Sequence, residues 1–162
     1  MSKVFLAAFG VAVVVIGLLV WTGFSTTAGN HLAPVGAIGK VRTVKASDDL
    51  TYMVIDFNVK NDSDRDMVVR TIDVNLDGVN GDDPLTGSLV AASDVAGAFQ
   101  AYPLLGERYN DVLRVNDKIP GHQTVDRMVG IRLDAPYAKV EGRKKVTLRI
   151  EDVTGPVVEM SK

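Results

Sequence analysis

Two runs of alternating residues, separated by a short polar segment, constrain this chain more than any other feature. From Tyr52 to Lys60, Met53, Ile55, Phe57 and Val59 alternate with Tyr52, Val54, Asp56, Asn58 and Lys60. From Val68 to Asp77, Ile72, Val74 and Leu76 alternate with Thr71, Asp73, Asn75 and Asp77. Successive side chains of a strand point to opposite faces. The pattern therefore predicts two strands, each with one face in a core and one in water. Between them, Asn61-Asp62-Ser63-Asp64-Arg65-Asp66 has no apolar residue and is rich in turn formers. The expectation is an antiparallel hairpin whose loop exceeds the tight two-residue type.

Other segments repeat the theme. Ala37 to Ala46 reads as a first strand marked by Val41 and Val44, and Ser88 to Ala92 as a short edge piece. In Thr124 to Leu133, Val125, Arg127, Val129 and Ile131 point one way, with Met128 and Leu133 assigned to the other. Val112 to Val115, Val146 to Ile150 and Val157 to Met160 complete the set. Ser47-Asp48-Asp49, Ile119-Pro120-Gly121, Asp134-Ala135-Pro136 and Gly155-Pro156 punctuate it. Ser93 to Tyr102 is the one soluble helical segment expected. Val95, Ala98, Phe99 and Tyr102 lie three or four apart, Ser93 is placed as the cap, and Pro103 ends it. Several short strands between turns predict a mainly β chain, an antiparallel immunoglobulin-like sandwich of about seven strands.

The N-terminus follows a different pattern. Val4 to Trp21 carries no charge and is dominated by Val, Leu, Ala, Phe and Ile. As a helix it spans about 27 Å, close to the hydrocarbon thickness of a bilayer. Trp21 ends it where an amphipathic ring favours the interface. Lys3 lies on the near flank, and the next Lys or Arg is Lys40. That bias puts the N-terminus in the cytoplasm and the remainder in the periplasm of a bacterial inner membrane. The expected division is a transmembrane helix over 1–21, a tether over 22–36 and a β domain over 37–162. A cleaved signal peptide, with Thr26 and Ala28 near the cut, is the competing reading. Ala8 and Ala12 share one helical face, as do Gly10 and Gly17. These small residues are candidates for helix packing in lipid, although Gly and Ala are common in any membrane span.

Composition narrows the chemistry. Of 162 residues, Lys and Arg number 18 and Asp and Glu 20, with no basic tract interleaved with aromatics, so nucleic acid is not an expected partner. There is no Cys. Disulfides, thiolate metal sites, a Cys nucleophile and an acylated lipoprotein cysteine are therefore excluded. The histidines are His31, in the tether, and His122, after Pro120-Gly121. No Gly-x-Ser-x-Gly elbow or HExxH is present. Asp73-Val-Asn75-Leu-Asp77-Gly78 matches the opening of a calcium loop. Its twelfth position is Pro84, which cannot ligate, and the same residues form the polar face of a strand. Asp48/Asp49 and Asp82/Asp83 fit turn chemistry. Arg143-Lys144-Lys145 suits an anionic lipid or an acidic partner, or else guards a strand edge. No catalytic residue, metal, cofactor or small-molecule substrate is expected.

The run VIDFNVKNDSDRDMVVRTIDVNL, Val54 to Leu76, resembles the strand, Asn-x-Ser/Thr turn, strand core of the late-embryogenesis-abundant type-2 and water-stress-response sandwich domains. Leu113, the Ile119-Pro120-Gly121 turn, the strand Val125 to Leu133 and the closing piece Leu148 to Gly155 come in the order found in bacterial immunoglobulin-like domains of the telokin-like lipoprotein type. The resemblance covers most of 38–160. It implies a two-sheet antiparallel sandwich in an extracytoplasmic setting and transfers no catalytic residues. This chain departs from the pattern in its long Gly78 to Tyr109 insertion and in a helical rather than lipid anchor. The functional expectation is an accessory subunit binding an integral membrane complex, photosynthetic or respiratory. The alternative is a free-standing envelope binding or inhibitor module using the 78–109 region.

Overall fold

A computed structural model describes residues 12–18, 34–78 and 83–162. The chain divides into two compact units, Met1–His31 and Leu32–Lys162. In the first, residues 12–18 are α-helical (α1), and each of them is exposed. Among the described residues, no helix is long and apolar enough to cross a membrane. The expected span reaches beyond α1 on both sides. Ala8, Gly10 and Trp21 lie outside the described residues, while Ala12 and Gly17 fall within α1.

The second unit is mainly antiparallel β. Its strands are β1 (Val35–Lys45), β2 (Thr51–Asn61), β3 (Met67–Asp77), β4 (Leu85–Leu89), β5 (Asp111–Val112), β6 (Lys118–Ile119), β7 (Gln123–Leu133), β8 (Lys145–Asp152) and β9 (Val157–Ser161). They follow one path, β1-β2-β7-β4-β3-β8-β9, with β5 pairing β7 and β6 pairing β3. β4 turns the corner. Leu85 to Gly87 pair with Val74 to Leu76 of β3, and Ser88 and Leu89 then pair with Arg132 and Ile131 of β7. The crossing is tight enough that a Cβ on Gly87 would stand 2.1 Å from Ile131 Cγ2. At the other end β1 and β9 lie against each other, and Lys162 Nζ donates to the Gly39 carbonyl. The sheet is thus nearly closed and barrel-like.

Inside it, Met53, Ile55, Phe57 and Val59 of β2 meet Ile72, Val74 and Leu76 of β3. Val129, Ile131 and Leu133 of β7 and Val146, Leu148 and Ile150 of β8 complete the cluster. The four β2 residues are at most 2% exposed. The apolar stripes read from the alternation are therefore the core. Leu133 joins Ile131 in it, rather than siding with Met128 as its sequence context suggested.

The expected hairpin is not formed. β2 pairs with β1 and β7, whereas β3 pairs with β4, β6 and β8. Residues 61–66 arch from one side of the core to the other. Alternation states which face is buried, not which backbone lies alongside, and two apolar stripes are covered equally well face to face or side by side. The arch is anchored by Asn61, which is 1% exposed. Its Nδ2 donates to the carbonyls of Arg65 at 2.7 Å and Ile119 at 3.0 Å, and its Oδ1 accepts from Ser63 N and Oγ.

A second correction concerns the opposite face of β2, expected in water. Val54 is fully buried and Asp56 is 7% exposed. The 90–113 segment folds back over this face as α2 (Ala92–Ala101), a 3-10 turn (Pro103–Leu105) and β5. Val44, Val54 and Met128 on the sheet are covered by Val90, Val95, Ala98, Leu105 and Val112. The helix was legible, but its cap was not. Ala91 takes the N-cap with no side-chain bond, and the Ser93 hydroxyl turns to Asp94 instead. A further helix, α3 (Tyr137–Glu141), was not expected. Its signal was Pro136 just before it and Gly142 just after.

α2 seats on β7 where Gly130 leaves room, for a Cβ there would lie 2.4 Å from Val95 Cγ2. Gly130→Ala is expected to lower stability by about 1–3 kcal/mol through overpacking. In Val95→Ala the obstructing methyl is gone, so the double variant should lose less than the sum of the two singles. Urea unfolding of all four proteins measures the coupling; strict additivity would show that the helix is not seated on Gly130.

Candidate functional site

Two polar centres stand out, and they are satisfied in opposite ways. The first is buried between β1, β2 and the 90–113 cover. Arg42 is 6% exposed. Its Nη2 donates to Asp56 Oδ2 at 2.6 Å, and its Nη1 donates to the carbonyls of Leu105 and Glu107, both at 2.7 Å. Asn110 Nδ2 donates to the other Asp56 oxygen at 3.0 Å. The guanidinium carbon lies 5.0 Å from the centre of the Phe99 ring and 5.7 Å from that of Tyr109. Nε has no partner. A planar cation with donors along its edge suits this setting, with carbonyls and a carboxylate at its donors and rings near it. A lysine has no such edge. The arrangement fastens the cover to the sheet. Every group around it is occupied with holding the fold.

The second centre lies at the seam where β1 meets β9, beside the start of β8. A cavity of about 330 Å³ opens there, lined by Lys40, Arg143, Lys144, Lys145 and Lys162, with Glu141 the one acidic residue on its wall among the described residues. Three distant stretches of chain build it: the middle of β1, the α3–β8 connection and the residue after β9. Glu141 is already engaged, accepting from the Thr43 hydroxyl and lying 3.4 Å from Arg143. Arg143 also donates to the Val140 carbonyl, and Lys162 to Gly39. Lys40 has Tyr109 below it, 5.9 Å from the ring centre. Among the described residues, no ion pair engages Lys40, Lys144 or Lys145. Asp77 stands across from Lys145 in the β3–β8 register, without pairing with it.

The residues singled out from sequence fall elsewhere. Asp73, Asn75 and Asp77 are exposed along β3, opposite Arg149, Thr147 and Lys145 of β8, and Asn75 accepts from Thr86. They form a charge-matched strand face, as their alternation indicated. Gly81 and Asp82 lie outside the described residues, as does His31. Among the described residues no cluster of His, Asp and Glu is grouped to hold a metal. His122 adopts φ 57° and its Nε2 lies 2.7 Å from Asp64 Oδ1, with both side chains largely exposed. The neighbouring Ser63 hydroxyl is bound to Asn61 Oδ1 and the Arg65 carbonyl, so this corner clasps the arch to the turn. Ala12 is exposed on α1 and Gly17 has open space around it.

Of the seam cations, Arg143-Lys144-Lys145 was visible as a run. Lys40 and Lys162 join it only through the fold. The Arg42–Asp56 pair was missed. Its trace in the sequence is that Asp56 shares its strand face with Val54 and Tyr52, an unusual company for a solvated carboxylate. A scan against protein-family models finds none that matches this chain, and a search of curated proteins returns no match.

Two outcomes are expected. Asp56→Ala leaves the Arg42 charge buried without its carboxylate and should cost about 3–5 kcal/mol in chemical denaturation. Asn110→Ala, which removes one neighbouring donor, should cost about 1 kcal/mol. Equal small losses would mean that the pair does not hold the cover. The Tyr52 phenol is pushed above its ordinary value, first by burial, then by Asp94 and Tyr102, with Arg132 opposing. A folded value above the unfolded one contributes stability that is complete below the unfolded pKa and is lost as pH rises through the folded value. Ultraviolet titration should therefore show a phenol that ionises above the ordinary tyrosine range, and Tyr52→Phe should remove that step.

Proposed function

We propose that this protein is a non-enzymatic, single-pass accessory subunit of a bacterial inner membrane, with its N-terminus in the cytoplasm. In this reading its periplasmic domain is an immunoglobulin-like sandwich, with β1-β2-β7 and β3-β8-β9 as its two layers and β4 bridging them. The domain binds and stabilises a larger integral membrane complex, with photosynthetic and respiratory assemblies as the candidate classes. The resemblance to late-embryogenesis-abundant type-2 and telokin-like domains points the same way.

One observation carries the reading. Residues 12–18 are helical, all apolar or glycine, and exposed on every side. Val13, Val14, Val15, Ile16 and Leu18 are each about half exposed or more. A helix that is apolar all round needs lipid or partner helices to cover it. The uncharged sequence continues on both sides, from Val4 to Trp21, long enough for a span. The domain supports binding rather than reaction because its buried ionic groups are occupied with holding the fold.

A second reading has one observation in its favour. Leu104, within the 78–109 region, is 87% exposed, and Tyr109 is 63% exposed. Apolar side chains in that position suit a contact surface for an envelope partner. Deleting the region cannot test this, since Val95, Ala98 and Leu105 cover the second core. A point change is needed.

The test is in native membranes. The full chain should stay in the pellet after an alkaline carbonate wash, and should migrate with larger proteins after mild-detergent extraction and crosslinking. Release into the supernatant would sink the anchor. A clean monomer in the extract would sink the subunit reading. Leu104→Ser should leave complex migration unchanged if the anchor makes the contact, and abolish partner capture if the 78–109 surface does.

A further inference from the structure

We propose that the seam cavity is a binding site for a compact phosphate-bearing anion. Five cationic residues line a cavity of about 330 Å³, a volume at the lower end of the range for small-ligand sites. Among the described residues, the one acidic side chain on its wall, Glu141, is held by Thr43 and Arg143. No ion pair among the described residues engages Lys40, Lys144 or Lys145, and Asp77, across from Lys145 in the β3–β8 register, does not pair with it. Like charges gathered in a concave site raise the local potential and concentrate anions there. Lysines act as mobile point charges that suit a phosphate, and Arg143 adds a planar donor group at the rim.

A simpler role for edge lysines is to keep other strands from pairing. That role does not account for this site. The edges of β1 and β9 are turned toward each other, so they already shield one another. The cluster also draws on the α3–β8 connection, which is not a sheet edge. Mutual repulsion among cations gathered at one seam works against the fold, and a bound anion relieves it. The proposal concerns the β domain alone and does not depend on the membrane anchor.

The experiment uses the full chain in a neutral detergent. Pyrophosphate serves as the free-phosphate probe, and micelles doped with phosphatidylglycerol serve as the headgroup probe, against undoped micelles. Pyrophosphate should bind saturably by calorimetry and raise the melting temperature, with affinity falling as salt is added. The Lys144→Gln/Lys145→Gln variant should bind at least tenfold more weakly while melting no lower than the parent. Lys40→Gln, on a different strand, should weaken binding severalfold and keeps the test open if the double variant fails to fold. Arg114→Gln/Lys118→Gln, an equal charge change on exposed residues away from the cavity, should bind like the parent. Saturable binding of doped micelles alone, lost in the same variants, assigns the site to a lipid headgroup; binding of pyrophosphate assigns it to a soluble phosphate. The proposal is overturned if neither probe binds at millimolar concentration, or if the control variant weakens binding as much as Lys144→Gln/Lys145→Gln.

Discussion

The structure depends on the burial of both faces of β2. Met53, Ile55, Phe57 and Val59 fill the space enclosed by the sheet, and Val54 and Asp56 are buried on the other side. A half-buried strand needs one neighbouring layer; a strand buried twice needs two. The second layer here is the 90–113 segment. Its short helix and 3-10 turn bring Val95, Ala98 and Leu105 down onto Val44, Val54 and Met128. Gly130 is small because the helix comes closest there. From residue 90 on, what the sequence presents as a long insertion is therefore a layer covering the outer face of the sheet, held by packing.

Burying that face also buried a carboxylate, and this explains Arg42. A lone ionised Asp beneath a helix would be strongly unfavourable. Arg42 supplies the opposite charge and caps two carbonyls of the cover at the same time. Such a pair is modest in net stability but costly to break from one side. Its effect is positional, since the cover can sit in one place only if Leu105, Glu107 and Asn110 meet the same two side chains. The seam shows the reverse logic. There the cations are open to water, which lowers the cost of leaving them unpaired. A buried charge is explained by its partners, whereas an exposed cluster whose lysines have no ion pair among the described residues suggests something that comes and goes.

β4 gives the sheet its closed form. By pairing first with β3 and then with β7, it joins two halves that would otherwise be separate layers. Among the described residues β1 and β9 are the two ends of the main path, and they lie against each other. The basic cavity exists because of this geometry. Lys40 and Lys162 are separated by most of the domain's sequence and become neighbours when the sheet curls round.

The sequence by itself determined the mainly β class, the long strands and the inner core. Period-two alternation located β2 and β3 within a residue or two and named Met53, Ile55, Phe57, Val59, Ile72, Val74 and Leu76 as interior, because a strand's side-chain direction is a local property. It also located α2, whose spacing and terminal Pro103 are local signals. Only the tertiary structure decided that β2 and β3 face each other instead of pairing, that Asp56 is buried, and that Lys40 and Lys162 join Arg143-Lys144-Lys145. Each of these depends on which distant backbone comes alongside, and backbone hydrogen bonds are the same whatever side chains flank them. Alternation therefore carries the face of a strand but not the identity of its neighbour.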